Sequence, residues 1–135
     1  MSEVFISHVN HNDATATRIC FALRGAGIGG WVDHIHGPVR ENLAAAETDK
    51  AIKQCQAGLL ILSEDSLYSK RIAREWQAIL NLKKPLYVAL IEAVPPDDLP
   101  APLWNRTIPY IDLTYDVERG LAALVRAIEG SVARH

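Results

Sequence analysis

The chain predicts an α/β fold, an open parallel sheet of five strands with helices on both faces. Three observations carry this. Short apolar runs recur at residues 4–6, 30–32, 58–62, 86–91 and 108–113, and the clearest are continuous, as strands buried on both faces are. Segments with apolar residues at helical spacing separate them. The alternation of strand and helix runs the length of the chain, which calls for parallel strands joined by right-handed crossovers.

Each element has its own signal. Val4-Phe5-Ile6 runs into Ser7-His8 and a polar loop at 9–12. Asn12 or Asp13 is placed to cap a helix with Ala16, Ile19, Cys20 and Leu23 on one side. That helix stops at Arg24-Gly25-Ala26-Gly27, a glycine stop signal. The glycines between 25 and 30 do not make a dinucleotide-binding turn, because they follow a helix and precede a strand; a phosphate-cradling turn needs the reverse order. Gly30-Trp31-Val32 is the second strand and ends at Asp33. A loop at 34–41 then leads to a helix with Ala44, Thr48, Ala51, Ile52 and Cys55 inward. The run 58–62 is the third strand, ending at Ser63. The helix after it has Ser66 or Ser69 as cap and stops by Lys84, before Pro85. The run 86–91 is the fourth strand. Residues 92–106 hold four of the seven prolines, so 94–100 is expected to be neither helix nor central strand. The run 108–113 is an edge strand, and Val117, Leu121, Leu124, Val125 and Ile128 line the last helix.

Composition narrows the function. The 135 residues, 49% hydrophobic and 22% charged, are expected to form one domain over 1–135, either free-standing or the N-terminal piece of a longer protein. A net charge of −2 with scattered Lys and Arg argues against a nucleic-acid partner. No apolar stretch approaches the roughly 20 residues of a membrane helix, and none at the start reads as a signal peptide. Cys20 and Cys55 lie on apolar helix faces and form neither a disulfide framework nor a zinc site, which points to reduced thiols in the cytoplasm.

Glu75 is the residue out of place. Ile72, Trp76, Ile79 and Leu80 form an i, i+4, i+7, i+8 stripe, and Glu75 falls inside it, between Ile79 and Leu82. A carboxylate there must be paired. Arg71, one turn earlier, is the structural partner, in the weaker orientation for a helical pair. In a parallel sheet all strand C-terminal ends share one edge, where ligands of such folds bind. That edge collects Ser7, His8, Asp33 and Ser63, with the start of the Glu75 helix above them.

Four blocks then resemble the Toll/interleukin-1 receptor (TIR) domain family. They are Val4-Phe-Ile-Ser-His8, Gly27-Ile-Gly-Gly-Trp-Val-Asp33, Leu60-Ile-Leu-Ser-Glu-Asp-Ser66 with the Glu75 helix, and Pro96-Asp-Asp-Leu-Pro-Ala-Pro-Leu103. The resemblance covers essentially the whole chain. It implies a flavodoxin-like fold and one of two functions. Some members, many of them bacterial, cleave NAD+ at the nicotinamide–ribose bond, and some of these make cyclic ADP-ribose variants. Others are scaffolds that assemble receptors and adaptors, through homotypic contacts of the loop after the second strand. For an NAD+-cleaving member the resemblance makes Glu75 catalytic and places Ser7, His8, Val9 and Asn10 in the loop lining the nucleotide site. Asp33, Ser63, Ser66 and Arg71 complete the expected substrate-binding set. His34, His36, Gly37, Pro38 and Arg40 make up the loop expected to meet a second copy. NAD+ is then substrate, and no cofactor is expected. Prokaryotic immune defence against phage, or an effector role, is the expected setting.

Two positions depart from the family pattern. Where the catalytic helix often opens Ser-x-Trp-Cys, this chain has Ser69-Lys70-Arg71-Ile72, and where Pro-x-Gly or Pro-Gly is common it has Gly37-Pro38-Val39-Arg40.

The bland readings stand beside these. His8 is equally a loop cap or a nucleotide contact. Ser63 and Ser66 read first as helix-cap or turn residues, and Asp33 as a holder of the next loop through its backbone amides. Trp31 and Trp76 read as core. His34-x-His36 lacks a third ligand, so no metal is expected. There is no nucleophile elbow, and a receiver domain is a poor alternative because Ser-His and Ser stand where its acids would be. One carboxylate suffices for NAD+, since nicotinamide leaves as a neutral molecule and needs no general acid, unlike the leaving oxygen of an ordinary glycoside.

Overall fold

The computed structural model describes residues 3–9, 12–32, 41–104 and 107–132. Its strands are β1 (Glu3–Ser7), β2 (Gly29–Val32), β3 (Ala57–Leu62), β4 (Leu86–Leu90) and β5 (Tyr110–Asp112). They lie in the order β2-β1-β3-β4-β5, every neighbouring pair parallel. The helices are α1 (Asp13–Gly25), α2 (Glu41–Gln54), the single turn α3 (Glu64–Leu67), α4 (Lys70–Asn81) and α5 (Val117–Val132). This is the flavodoxin-like order. The chain turns outward from β1 to β2 and then returns to β3, so the switch point lies between β1 and β3.

Strand side chains alternate faces, and the two cores follow that alternation. Val4, Ile6, Leu59, Ile61, Tyr87 and Ala89 point to one face, where α1 supplies Ala16, Ile19 and Leu23 and α5 supplies Leu121, Leu124 and Ile128. Phe5, Leu60, Leu62 and Val88 point to the other, packing on Ala51 and Ile52 of α2 and on Ile72, Trp76 and Ile79 of α4. Trp31 stacks on Phe5, with ring centroids 5.1 Å apart. α4 lies close on β3 at Gly58, where an added Cβ would stand 2.3 Å from Ile79 Cδ1 and 3.0 and 3.1 Å from two more of its side-chain atoms.

Several expectations need correction. α1 does start at Asp13, but Asn12 makes no side-chain cap: its φ of −102° and ψ of 18° are not the extended backbone that folds a cap back. Ser69 caps α4 by accepting from the Ile72 amide at 3.2 Å, while Ser66 lies inside the separate turn α3. α4 ends at Asn81, within the expected limit of Lys84: Lys83 takes a φ of 58° and turns the chain so that the Lys84 amide reaches Ile79 O at 3.2 Å. The Lys84 ammonium then donates to Ile52 O (2.7 Å) and Lys53 O (2.6 Å), satisfying the C-terminal carbonyls of α2. Glu75 is buried on the same helix as Ile72, Trp76 and Ile79, as the stripe predicts, while Leu82, just past the helix end, is 46% exposed.

The proline-rich stretch is not free of helix. Pro96–Asp98 and Ala101–Trp104 are 3-10 turns. Proline blocks an α ladder but not the carbonyl end of a short turn: Pro95 O accepts from Asp98 N at 3.0 Å and Pro100 O from Leu103 N at 2.9 Å. β5 is only three residues long, follows Pro109, and forms the edge of the sheet.

Candidate functional site at the strand C-terminal edge

Ser7 closes β1 at the switch point, and α4 begins beyond the end of β3, next to it. Ser7 Oγ donates to Glu75 Oε1 at 2.6 Å across 68 residues of sequence. Arg71 Nη1 donates to Glu75 Oε2 at 3.1 Å and, more weakly, to Oε1 at 3.4 Å. Arg71 Nη2 donates to the carbonyl of His8 at 2.9 Å. Glu75 is 4% exposed and Ser7 1%, whereas the Arg71 side chain is 39% exposed. The carboxylate is therefore a desolvated acid whose counter-charge reaches it from the solvent side. Hydrogen bonds to a charged group contribute about 1.5–3 kcal/mol each, so these contacts offset much of the cost of burial.

Around this centre the fold sets Val9, half-buried against the Phe5–Trp76 cluster, and His8, buried. Ser63 is the N-cap of α3. Its hydroxyl accepts from the Ser66 amide at 3.3 Å, and Ser66 Oγ accepts from the Ser63 amide at 2.9 Å and donates to Ser63 O at 2.7 Å. Both serines are thus engaged in a capping box. Ser63 Oγ also donates to Asn12 Oδ1 at 3.1 Å, tying the β1–α1 turn to the end of β3. Ser7, His8, Arg71 and Glu75 are brought into direct contact; Ser63 and Ser66 sit beside them with their hydroxyls committed to the cap. Asn10, Asp33, His34, His36, Gly37, Pro38 and Arg40 lie outside the described residues. Among the described residues no cluster of side chains is suited to hold a metal ion.

A family model for the TIR domain matches residues 4–125. The chain belongs to the TIR family. The solved structures it resembles include the TIR domains of the activated Roq1 resistosome that directly recognises the pathogen effector XopQ (TM-score 0.72, 18% identity, covering 95% of this chain and 99% of that one). The TIR domain of the Toll-related receptor TRR-2 from Hydra magnipapillata superposes with a TM-score of 0.69 at 20% identity, over 91% and 97% of the two chains. A 2-desoxiribosyltransferase from Leishmania mexicana shares the fold at a TM-score of 0.62 and 14% identity, over 93% and 98%. No curated protein matches the chain significantly. These likenesses establish the shared fold.

Two site features of this TIR domain escaped the sequence reading. Asn12 reads as a helix cap, and only the folded chain brings Ser63 to its side chain. The reach of Arg71 to the His8 carbonyl is likewise invisible, since a helical pair with Glu75 accounts for the residue without it. Burial pushes the Cys20 and Cys55 thiols up, against the opposing pull of Arg24 and Lys84 respectively, and both cysteines are free. They are inert fillers of the core. No described helix is long and apolar enough to cross a membrane.

Proposed function

We propose that this TIR domain is an NAD+ glycohydrolase with Glu75 as its catalytic carboxylate, active when copies assemble and serving prokaryotic immune defence or an effector role. One observation carries the reading: a buried carboxylate on α4, held by Ser7 and Arg71 at the edge where ligands of open parallel sheets bind. Buried acids in such a place are active-site candidates. The likeness to a deoxyribosyltransferase adds fold-level analogy, since moving such a group breaks a bond at the anomeric carbon.

The chemistry needs little else. The bond between ribose C1′ and the nicotinamide nitrogen breaks with its electron pair going to nitrogen, which neutralises the pyridinium. Positive charge then develops on the ribose. A carboxylate that accepts from the ribose hydroxyls stabilises that charge or traps it covalently. Water reaching C1′ loses a proton and gives ADP-ribose; an adenine ring nitrogen reaching it first gives a cyclic isomer. Ser7, His8 and Val9 from the end of β1, with Ser63, Ser66 and Arg71, are the proposed lining of the site, joined by Asn10 and Asp33. The loop carrying His34, His36, Gly37, Pro38 and Arg40 is proposed to meet a second copy.

The test is NAD+ consumption by the purified chain over a concentration series, with and without a crowding agent, beside Glu75→Ala. Turnover that rises with concentration and drops at least ~100-fold in the variant is expected, because losing a transition-state charge stabiliser costs about that much. Unchanged turnover in Glu75→Ala would assign the chemistry to another group.

A second reading, a scaffold that signals through homotypic contacts, is favoured by one feature. Tyr110, Asp112, Tyr115, Asp116 and Arg119 line an open hollow of 410 Å³ between β5 and α5. Tyr115, 94% exposed there, is the kind of aromatic that interfaces bury. No turnover in any assembled state selects this reading.

A further inference from the structure

We propose that Arg71 is a positioning residue, a forked clamp that fixes the Glu75 carboxylate and the β1–α1 turn in one geometry. The inference rests on the NAD+ reading and concerns the same site. Ser7 and His8 are chain neighbours, so three hydrogen bonds close a circuit: Ser7 Oγ to Glu75, Arg71 Nη1 to Glu75, and Arg71 Nη2 to the His8 carbonyl. The carboxylate cannot rotate without breaking one of them.

The helical pair alone does not explain this arrangement. An Arg one turn before a Glu is in the weaker orientation and, on a solvated face, contributes little. Here Glu75 is buried, and the second amine leaves α4 altogether to hold backbone 63 residues earlier in the chain. Two acceptors on two elements suit a planar guanidinium, whose N–H groups diverge in a fixed fork. A lysine ammonium supplies the same charge from a single nitrogen, without the fixed divergence of the fork. The tryptophan common at this position in the family has one N–H and no charge. The clamp makes Arg71 the orienting group of the carboxylate, bonded to it from the solvent side.

The experiment compares wild type, Arg71→Ala and Arg71→Lys under assembling conditions, with NAD+ as probe. Misplacing a reacting group by about 1 Å costs roughly 100-fold, so Arg71→Ala should lose about that factor in kcat with KM changed much less. Millimolar guanidinium should restore part of the Arg71→Ala rate and leave wild type unaffected. Arg71→Lys, equal in charge, should remain well below wild type. Wild-type kcat in Arg71→Lys overturns the clamp, and a loss confined to KM overturns it in favour of direct substrate binding. If Arg71→Ala does not fold, as its melting curve would show, Arg71→Lys carries the test. A wild-type chain without turnover overturns the NAD+ reading alone. The clamp is then judged by exchange of the Asn12 amide, bonded to Val9 O in the same turn at 2.9 Å. Exchange roughly tenfold faster in Arg71→Lys supports the clamp, and unchanged exchange overturns it.

Discussion

Two carboxylates stand near the C-terminal edge of the sheet, and they use their hydrogen bonds in opposite ways. Asp112, the last residue of β5, is exposed and accepts from the amide and hydroxyl of Thr114, two residues on. Glu75 is buried and is held by β1, 68 residues away, as well as by its own helix. The Asp112 contacts close a local turn that the surrounding chain nearly dictates. Those of Glu75 exist only once β1, β3 and α4 have assembled, and they keep a desolvated charge that a stability-driven core would replace with leucine. A local carboxylate shapes the backbone; a long-range buried one joins elements that the sequence holds far apart.

The largest expected effect that sharpens this contrast is thermodynamic coupling. Ser7→Ala removes a hydrogen bond to a buried charge and should cost about 1.5–3 kcal/mol. Glu75→Leu alone leaves the Ser7 hydroxyl without that acceptor and costs about 1–3 kcal/mol. The double variant, with both partners apolar, should come out well short of the sum, because neither group is then left wanting. Urea unfolding of the four proteins measures this. The same cycle at Asp112 and Thr114 should show no resolvable coupling beyond their local turn. Additive losses at Ser7 and Glu75 would mean that the two do not act as a unit.

Next in size is the platform under Glu75. Gly58→Ala drives a methyl into Ile79 Cδ1 and crowds two more atoms of that side chain, so α4 must shift or Ile79 must leave its rotamer. Overpacking of this kind costs about 1–3 kcal/mol. Because α4 carries Glu75 and Arg71, the variant should also lose NAD+ turnover. Enlarging a residue in the opposite core, with no contact to α4, should lower stability by a similar amount and spare turnover. Equal loss of turnover from both would show that general destabilisation is responsible.

The contrast also explains what could be read in the sequence. The strands and major helices were legible because each is a local periodicity: the alternation of Leu59 and Ile61 against Leu60 and Leu62 needs only a sheet with two covered faces. Glu75 was legible for the same reason, as a charge breaking an apolar stripe. Its bonding to Ser7, the Arg71 fork and the Asn12–Ser63 link were not, since they join positions 51 to 68 residues apart and depend on how the helix seats against the sheet. The end of α4 was legible from Pro85, but not its means, since Lys83 adopts a left-handed turn that glycine normally marks. The proline-rich stretch hid its 3-10 turns because proline propensities speak about α ladders, and a three-residue turn escapes them.

The smallest effect tests the local carboxylate. The two bonds from Thr114 hold the Asp112 carboxyl below its usual range. Its folded pKa is thus depressed, so its contribution to stability is present above the unfolded value of about 3.9 and is lost as pH falls through the folded value. Asp112→Ala should melt slightly below wild type at pH 6, and the two curves should converge once the pH is low enough to protonate Asp112 in the folded chain. Being fully solvated, the group can produce only a small gap, and salt should shrink it further. A gap that persists unchanged into acid would mean that Asp112 acts through packing, and its difference from Glu75 would then be one of degree.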